Sequence, residues 1–486
     1  MIYTNPVVKG FYPDPSVCYA NGKFYLVCSS FQYFPGVPLF ESDDLVNWTQ
    51  IGHVLTRKNQ VELEKVNSSG GVFAPTIRYN NGRFYMVTTN DTTHRNFYVY
   101  TDDIHGEWSD PITIDQDGID PSLYFEDGRA FFISNGTDCE GKGGVVQCEI
   151  NIETGEKLTE SRCIWQGSGG RYLESPHMYK IGKYYYLMAA EGGTEYGHMI
   201  TYARSESVWG KFEGYPHNPV LTNRNKAPFI IQGIGHGDLI QDKNGEWHII
   251  CLGFRQIHMW MTYHHLGREC FLIPVTFHED GWFTAGNGTC EESYDLSGDF
   301  AQLPLKTYTL ENIGHDICHL RHPHTENYSI TKDKIILKGT DVTLDNVASP
   351  TFAGVRQRDF DMDCSVSVSV SDGEGGLTVY SCETEHYDLA LRKNEGGYEA
   401  ILRLNIGGIR HIEKAVQIPS GSAKLIIRSD SRVYKFFVQP QGEEIPMGFA
   451  MSKYLSSEVC GGFTGTVIGM YAVKGSAEFT DLRISY

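Results

Sequence analysis

The chain has 486 residues, of which 41% are hydrophobic and 21% charged, with a formal net charge of −19. That length exceeds one ordinary core, so two domains are expected in a globular protein. The acidic balance argues against nucleic acid or an anionic membrane as the main partner, and no 18-residue apolar run offers a membrane-crossing helix.

The first residues, MIYTNPVVKGFYPDP, lack a basic start followed by an apolar run, so the expected compartment is the cytoplasm. Twelve cysteines are scattered without a C-x-x-C pair. Cys18 and Cys28 lie in alternating strand patterns, which favours core thiols over disulfides or a metal cluster. From there a repeat dominates. Its five units open DPSVCYANGKFYLV at Asp14, APTIRYNNGRFYMV at Ala74, DPSLYFEDGRAFFI at Asp120, SPHMYKIGKYYYLM at Ser175 and GDLIQDKNGEWHII at Gly237. Gly22, Gly82, Gly128 and Gly245 follow their openings by eight residues, and Gly182 follows by seven. Each unit reads as strand, glycine turn, strand. Units of this length made of short strands predict propeller blades, with the first strand of each lining a central channel. An Asp-Asp pair followed shortly by Trp48 or Trp108 strengthens the repeat, with both tryptophans expected to pack between blades. Helical signals are weak throughout.

Gly286 to Lys306 reads as a linker of Gly, Asn, Ser and acidic residues. Beyond it Cys364–Val370 alternates strictly, with Val366, Val368 and Val370 on one face. Similar segments recur between turns, the pattern of a β-sandwich. The expected fold is therefore all-β: a five-bladed β-propeller over residues 1–290 and a jelly-roll-like β-sandwich over residues 305–486.

Equivalent openings should converge, which gives an inner ring of Asp14, Phe73, Asp120, Glu174 and His236. Clustered carboxyls are costly and usually serve chemistry. Hydrolysis of an acetal needs a proton donor for the leaving oxygen and a base or nucleophile on the opposite face. Three acids supply both, because one charge raises the pKa of its neighbour. Two other readings stay open on the residues alone. His236 with the acids suits a divalent ion. A structural ring would use Arg268 or Arg171 as counter-ion.

The segments GFYPDPSV, FQYFPGVPLFESDDLVNW, GGVFAPTIRY, GIDPSLYFEDG, LESPHMYK, AAEGGTEYGH, GHGDLIQD and LGRE, in this order, closely resemble glycoside hydrolase family 43. The nearest likeness is to its β-D-xylosidase and α-L-arabinofuranosidase branches, and it covers nearly the whole chain. The resemblance implies Asp14 as general base, Glu174 as general acid and Asp120 as the residue that tunes and orients Glu174. It implies inversion at the anomeric carbon. Phe31, Phe73, Ala74, Thr194, His236 and Arg268 match positions that line the family's sugar pocket. In many members the residue matching His236 holds a hydrated calcium ion in the channel, so calcium is allowed here and not required. Phe73 and Asp238 depart from the Trp and Ser of many xylosidases, and both are expected near the pocket floor. The segment GGFTGTVIGMYA resembles the sandwich loop that closes the pocket, which would put Phe463 on the leaving-group side. The resulting expectation is an exo-acting inverting glycosidase that releases β-D-xylose or α-L-arabinofuranose from small xylan-derived oligosaccharides. The alternatives are an arabinan-degrading glycosidase and a non-catalytic carbohydrate-binding protein. A homo-oligomer is compatible with the sequence.

Overall fold

The computed structural model describes residues 1–258, 260–298 and 300–486. The all-β expectation holds: among the described residues the single α-helix is one turn, Ser457–Cys460. The five repeats fold into five four-stranded antiparallel sheets. Their opening strands are Ser16–Ala20, Thr76–Asn80, Ser122–Glu126, Glu174–Ile181 and Ile231–Gln241.

The glycine turns explain the sheets locally. Asn21-Gly22, Asn81-Gly82 and Asp127-Gly128 each form the two-residue loop between paired strands, with positive φ at both residues. That conformation matches the right-handed strand twist and favours Asn-Gly or Asp-Gly. In the fourth sheet Ile181 pairs with Tyr184, so the loop is Gly182-Lys183 and the glycine comes first. Its spacing is accordingly one residue shorter.

The five opening strands neighbour one another in chain order, and the fifth also neighbours the first. Polar side chains join them. Thr76 Oγ1 donates to the Pro121 carbonyl at 2.8 Å, and Ser122 Oγ donates to the Pro176 carbonyl at 2.5 Å. Asp238 accepts from both Arg78 terminal nitrogens at 2.8 and 3.0 Å, from Ser16 Oγ at 2.7 Å, and from the Tyr179 hydroxyl. Four sheets therefore meet at one buried carboxylate. The ring is closed by the N-terminal segment. Ile2–Thr4 pairs with Ser293–Asp295, and the Tyr12 amide donates to the Arg268 carbonyl at 3.0 Å.

Tyr33–Phe34 pairs with His319–Leu320, and the later strands form an eight-stranded and a six-stranded sheet. They share one apolar core, to which Val366, Val368 and Val370 contribute from one sheet and Leu377, Leu389 and Leu402 from the other. Alternation placed these valines correctly, because successive side chains of a strand face opposite ways. This region packs tightly on the first sheet. Phe11, Phe31 and Tyr33 share a cluster with Phe352, Tyr380 and Tyr471. Arg321 is fully buried between them and donates to the Val66 and Ala348 carbonyls at 2.7 and 2.8 Å. Trp108 sits in a core between the first two sheets, and all twelve cysteines are free, eight of them buried.

Breaking the hub should be expensive. Asp238→Ala leaves the Arg78 guanidinium buried without its partner. A loss of about 3–5 kcal/mol in urea unfolding is expected. An unchanged midpoint would show that the hub does not hold the sheets.

Candidate active site

Three acids distant in sequence reach one pocket because each stands at or beside the entry to an opening strand. The backbone there is unusual. Asp14, Asp120, Ser175 and His236 have φ of 55°, 54°, 55° and 45°. Left-handed backbone is rare for non-glycine residues and concentrates at functional sites. The pairing of Glu174 with Ala190 is followed by a register shift, which turns this edge of the sheet toward the pocket.

Asp14, Asp120 and Glu174 all line an inner pocket of about 100 Å³, with Phe31, Phe73, Ala74, Thr194, His236, Arg268 and Phe463. Every site residue expected from the sequence is thus brought together. His198 and Ile119 complete the wall and escaped the sequence reading, since His198 lies inside a strand-turn segment with no repeat partner. His236 Nδ1 lies 3.6 Å from Asp14 Oδ1 and 3.6 Å from Asp120 Oδ2, so those oxygens flank one imidazole. An outer cavity of about 690 Å³ adjoins the pocket. Glu174, Thr194, Arg268 and Phe463 belong to both spaces. The outer wall adds Tyr172, Tyr196, Phe254, His264 and Glu458. His264 stacks on Phe254 at 3.8 Å and pairs with Glu458 at 2.7 Å. Nothing in the repeat pointed to this wall, because its residues come from loops outside the repeated strands and, with Ser457, Glu458, Gly462 and Phe463, from the C-terminal region.

Arg268 organises the pocket. Its Nη1 donates to Asp14 Oδ1 at 3.0 Å and to Thr194 Oγ1 at 2.9 Å, and its Nη2 donates to the Phe463 carbonyl at 3.3 Å. The guanidinium lies over the Phe31 and Phe463 rings at 5.7 and 5.6 Å. Phe31 and Phe463 stack at 5.9 Å, and Phe73 meets Phe31 at 5.6 Å. An aromatic box of this kind suits the apolar face of a sugar. Arg171, the other counter-ion considered, instead pairs with Glu195 at the rim. Glu191 is fully buried and accepts from the Ser168 and Gly170 amides and Thr201, which fixes the loop leading to Glu174.

The acids differ in charge for physical reasons. Burial pushes Asp14 up, but the Arg268 charge, the His236 ring and the Ser29 hydroxyl outweigh it and hold the carboxyl below its usual range. Burial and then the Asp14 charge push Glu174 up to about 7, against the pull of Arg268. Burial, Glu174 and Asp14 together hold Asp120 well above the ordinary range. Asp14 thus supplies a charge that raises Glu174, and Glu174 in turn raises Asp120. Asp120 and Glu174 form a pair that keeps a proton near neutrality while Asp14 has none.

The groups beneath the pocket are paired with one another. Below His236 stands His177, whose Nδ1 meets Arg78 Nη2 at 2.7 Å. Calcium needs six to eight oxygen ligands. The one carboxylate at this level, Asp238, already serves Arg78, Ser16, Val17 and Tyr179. Asp238 also corrects the sequence expectation of a pocket-floor residue. It lies deeper along the axis than His236 and does not line the pocket.

Residues 3–283 match the family described as Glycosyl hydrolases family 43, and residues 306–483 match the Beta xylosidase C-terminal Concanavalin A-like domain. This chain belongs to glycoside hydrolase family 43. Among its relatives, a non-reducing end alpha-L-arabinofuranosidase of Bacteroides ovatus is 38% identical, over 97% of this chain and 91% of its own. A xylosidase/arabinosidase of Butyrivibrio fibrisolvens is 34% identical, over 97% and 96%. The solved structure of GH43B from a Bacteroides ovatus xyloglucan locus superposes with a TM-score of 0.94 at 36% identity, covering 100% of both chains. A xylan beta-1,4-xylosidase of Bacillus halodurans gives 0.92 at 28% identity, covering 99% of this chain and 100% of that one. The chain is thus a glycoside hydrolase, and the binding-protein alternative falls.

The charges of this family 43 site set its pH dependence. The base must be ionised and the acid protonated, so kcat/KM should fall as pH rises through about 7, where Glu174 loses its proton. Stability should fall in the same direction. The folded chain holds the Glu174 proton above the pKa of the unfolded carboxyl, so raising pH from about 4.5 to 7 disfavours folding. Glu174→Gln should flatten that decline in Tm, and an identical decline in the variant would contradict it. Arg268→Met should move the acidic limb of kcat/KM to higher pH and lower its plateau by about 10²–10³-fold, read from initial rates.

Proposed function

We propose that this enzyme is an exo-acting, inverting glycosidase that removes one terminal pentose from short xylan- or arabinoxylan-derived oligosaccharides. The observation that carries the reading is the place of Glu174, on the boundary between a pocket sized for one ring and a larger outer cavity. A bond from a terminal sugar to its leaving group would cross that boundary. Glu174 protonates the departing oxygen. Asp14, kept ionised by Arg268, takes the proton of the attacking water from the opposite side. Asp120 shares its proton with Glu174 and so keeps the acid charged with a proton at neutral pH. His236 sits between Asp14 and Asp120 and holds their orientation. Water is the nucleophile, and the reading requires no cofactor.

The same proposal takes the five sheets as blades of one five-bladed propeller over residues 1–290, in support of which their opening strands close a ring. Residues 305–486 form the sandwich that caps it. Phe463 donates its amide to Ser69 Oγ at 2.8 Å, and Glu458 accepts from the Tyr196 hydroxyl at 2.9 Å. These contacts shut one side of the pocket, so a chain end enters and a chain interior does not. Both α-L-arabinofuranose and β-D-xylose are substrates in this reading, supported by the names of the two relatives above.

Hydrolysis of nitrophenyl α-L-arabinofuranoside and β-D-xyloside, beside xylobiose and an arabinosylated xylo-oligosaccharide, tests it. Asp14→Ala should lower kcat by about 10²–10⁴-fold on every substrate. Glu174→Ala should do so on the oligosaccharides and much less on the nitrophenyl glycosides, whose leaving groups need little protonation. Equal losses on both classes would remove Glu174 from its role. Proton NMR of the first product formed should show the inverted anomer.

A further inference from the structure

The fifth hairpin departs from the other four. Its strands Ile231–Gln241 and Trp247–Arg255 are joined by five residues, Asp242 to Glu246, where the others use two. Asp242 Oδ1 shapes this loop by accepting from the Asn244 and Glu246 amides at 2.9 and 2.8 Å. The turn therefore uses one oxygen of the carboxylate and not the other, Oδ2. That oxygen faces His248 Nε2 at 3.5 Å. The separation is too long for a good hydrogen bond. The His248 ring is only 2% exposed, and neither nitrogen has a hydrogen-bond partner among the described residues. Leaving a buried polar group unmatched is unfavourable. Glu246, which is exposed, brings a third donor, and the three ligand atoms all lie within 4.8 Å of one another.

We propose that Asp242, Glu246 and His248 bind one divalent transition-metal ion at the end of the fifth sheet remote from the acids. Two ligands each about 2.1 Å from a shared ion, at a tetrahedral angle, stand about 3.4 Å apart. The observed 3.5 Å between Nε2 and Oδ2 fits that geometry better than it fits a hydrogen bond. One imidazole and two carboxylates suit Zn²⁺ and its first-row neighbours, with water filling the open side. Calcium, which seeks many oxygens, finds two carboxylates in this cluster. Six residues of extended strand separate Asp242 from His236, about 20 Å, so the ion takes no part in glycoside cleavage.

Its role is a clip. Ser297 Oγ donates to Glu246 Oε1 at 2.9 Å, and Asn244 Nδ2 donates to the Ser297 carbonyl at 3.0 Å. The neighbouring Leu296 carbonyl accepts from the Met1 amine at 2.6 Å. A bound ion would hold this hairpin rigid against the segment that leads out of the fifth sheet.

Thermal unfolding of the chelator-treated full-length enzyme, with and without ZnCl₂, tests the site. At saturating Zn²⁺ the Tm of the native enzyme should rise by about 2–4 °C. Asp242→Asn keeps the turn-forming oxygen, and Glu246→Gln changes an exposed side chain, so both should fold with the metal-free Tm. Both should lose the rise, as should His248→Ala if it folds. Calcium or magnesium at the same concentration should leave Tm unchanged, and nitrophenyl glycoside turnover should be the same in all forms. No Zn²⁺-induced rise in the native enzyme would overturn the proposal. So would a rise of equal size in Asp242→Asn and Glu246→Gln, or an equal rise with calcium.

Discussion

The ion pair of Arg268 with Asp14 governs the chemistry of this pocket. A buried carboxylate far from any cation would take up a proton and cease to be a base. Here the guanidinium keeps Asp14 charged, and the charge of Asp14 in turn raises Glu174. One cation thus separates the protonation states of acids that the fold has crowded together. Its second terminal nitrogen reaches the Phe463 carbonyl, so the same side chain also anchors the cap. Electrostatics and shape are coupled through one residue.

A second cation does comparable work deeper in the channel. Arg78 fills the axis with a fixed positive charge, held by Asp238 and leaning on His177. A protein-borne guanidinium cannot dissociate, so the channel's charge balance is independent of the surroundings. The histidines between the two arginines are held neutral by burial, and His177 is pushed down to about 3. The column from Asp14 to Asp238 therefore alternates anion, neutral ring, cation and anion without an uncompensated charge.

Much of this was legible in the chain, for local reasons. Asn-Gly and Asp-Gly pairs announce hairpins through their backbone conformation, and strict alternation at Cys364–Val370 announces a half-buried strand. Repeat spacing then aligns Asp14, Asp120 and Glu174 at equivalent entries. Depth along the axis is another matter. His236 and Asp238 lie two residues apart on one strand, but a register shift and a left-handed φ at His236 interrupt the alternation, and one lines the pocket while the other ties the sheets together. Period two holds only along a regular strand, and the sequence does not announce where it is broken. The outer wall, with Tyr196, His264 and Glu458, joins residues 262 and 194 positions apart through contacts that no local pattern encodes.

The left-handed backbone at the pocket rim shows that these positions are held by their surroundings. The surroundings themselves come from both halves of the polypeptide: Asp14 lies in the first strand entry, and Phe463 lies in the last long loop. During synthesis the ribosome delivers the base early and the final wall late. The wall of the pocket is therefore finished only when residues from both ends of the polypeptide have come together.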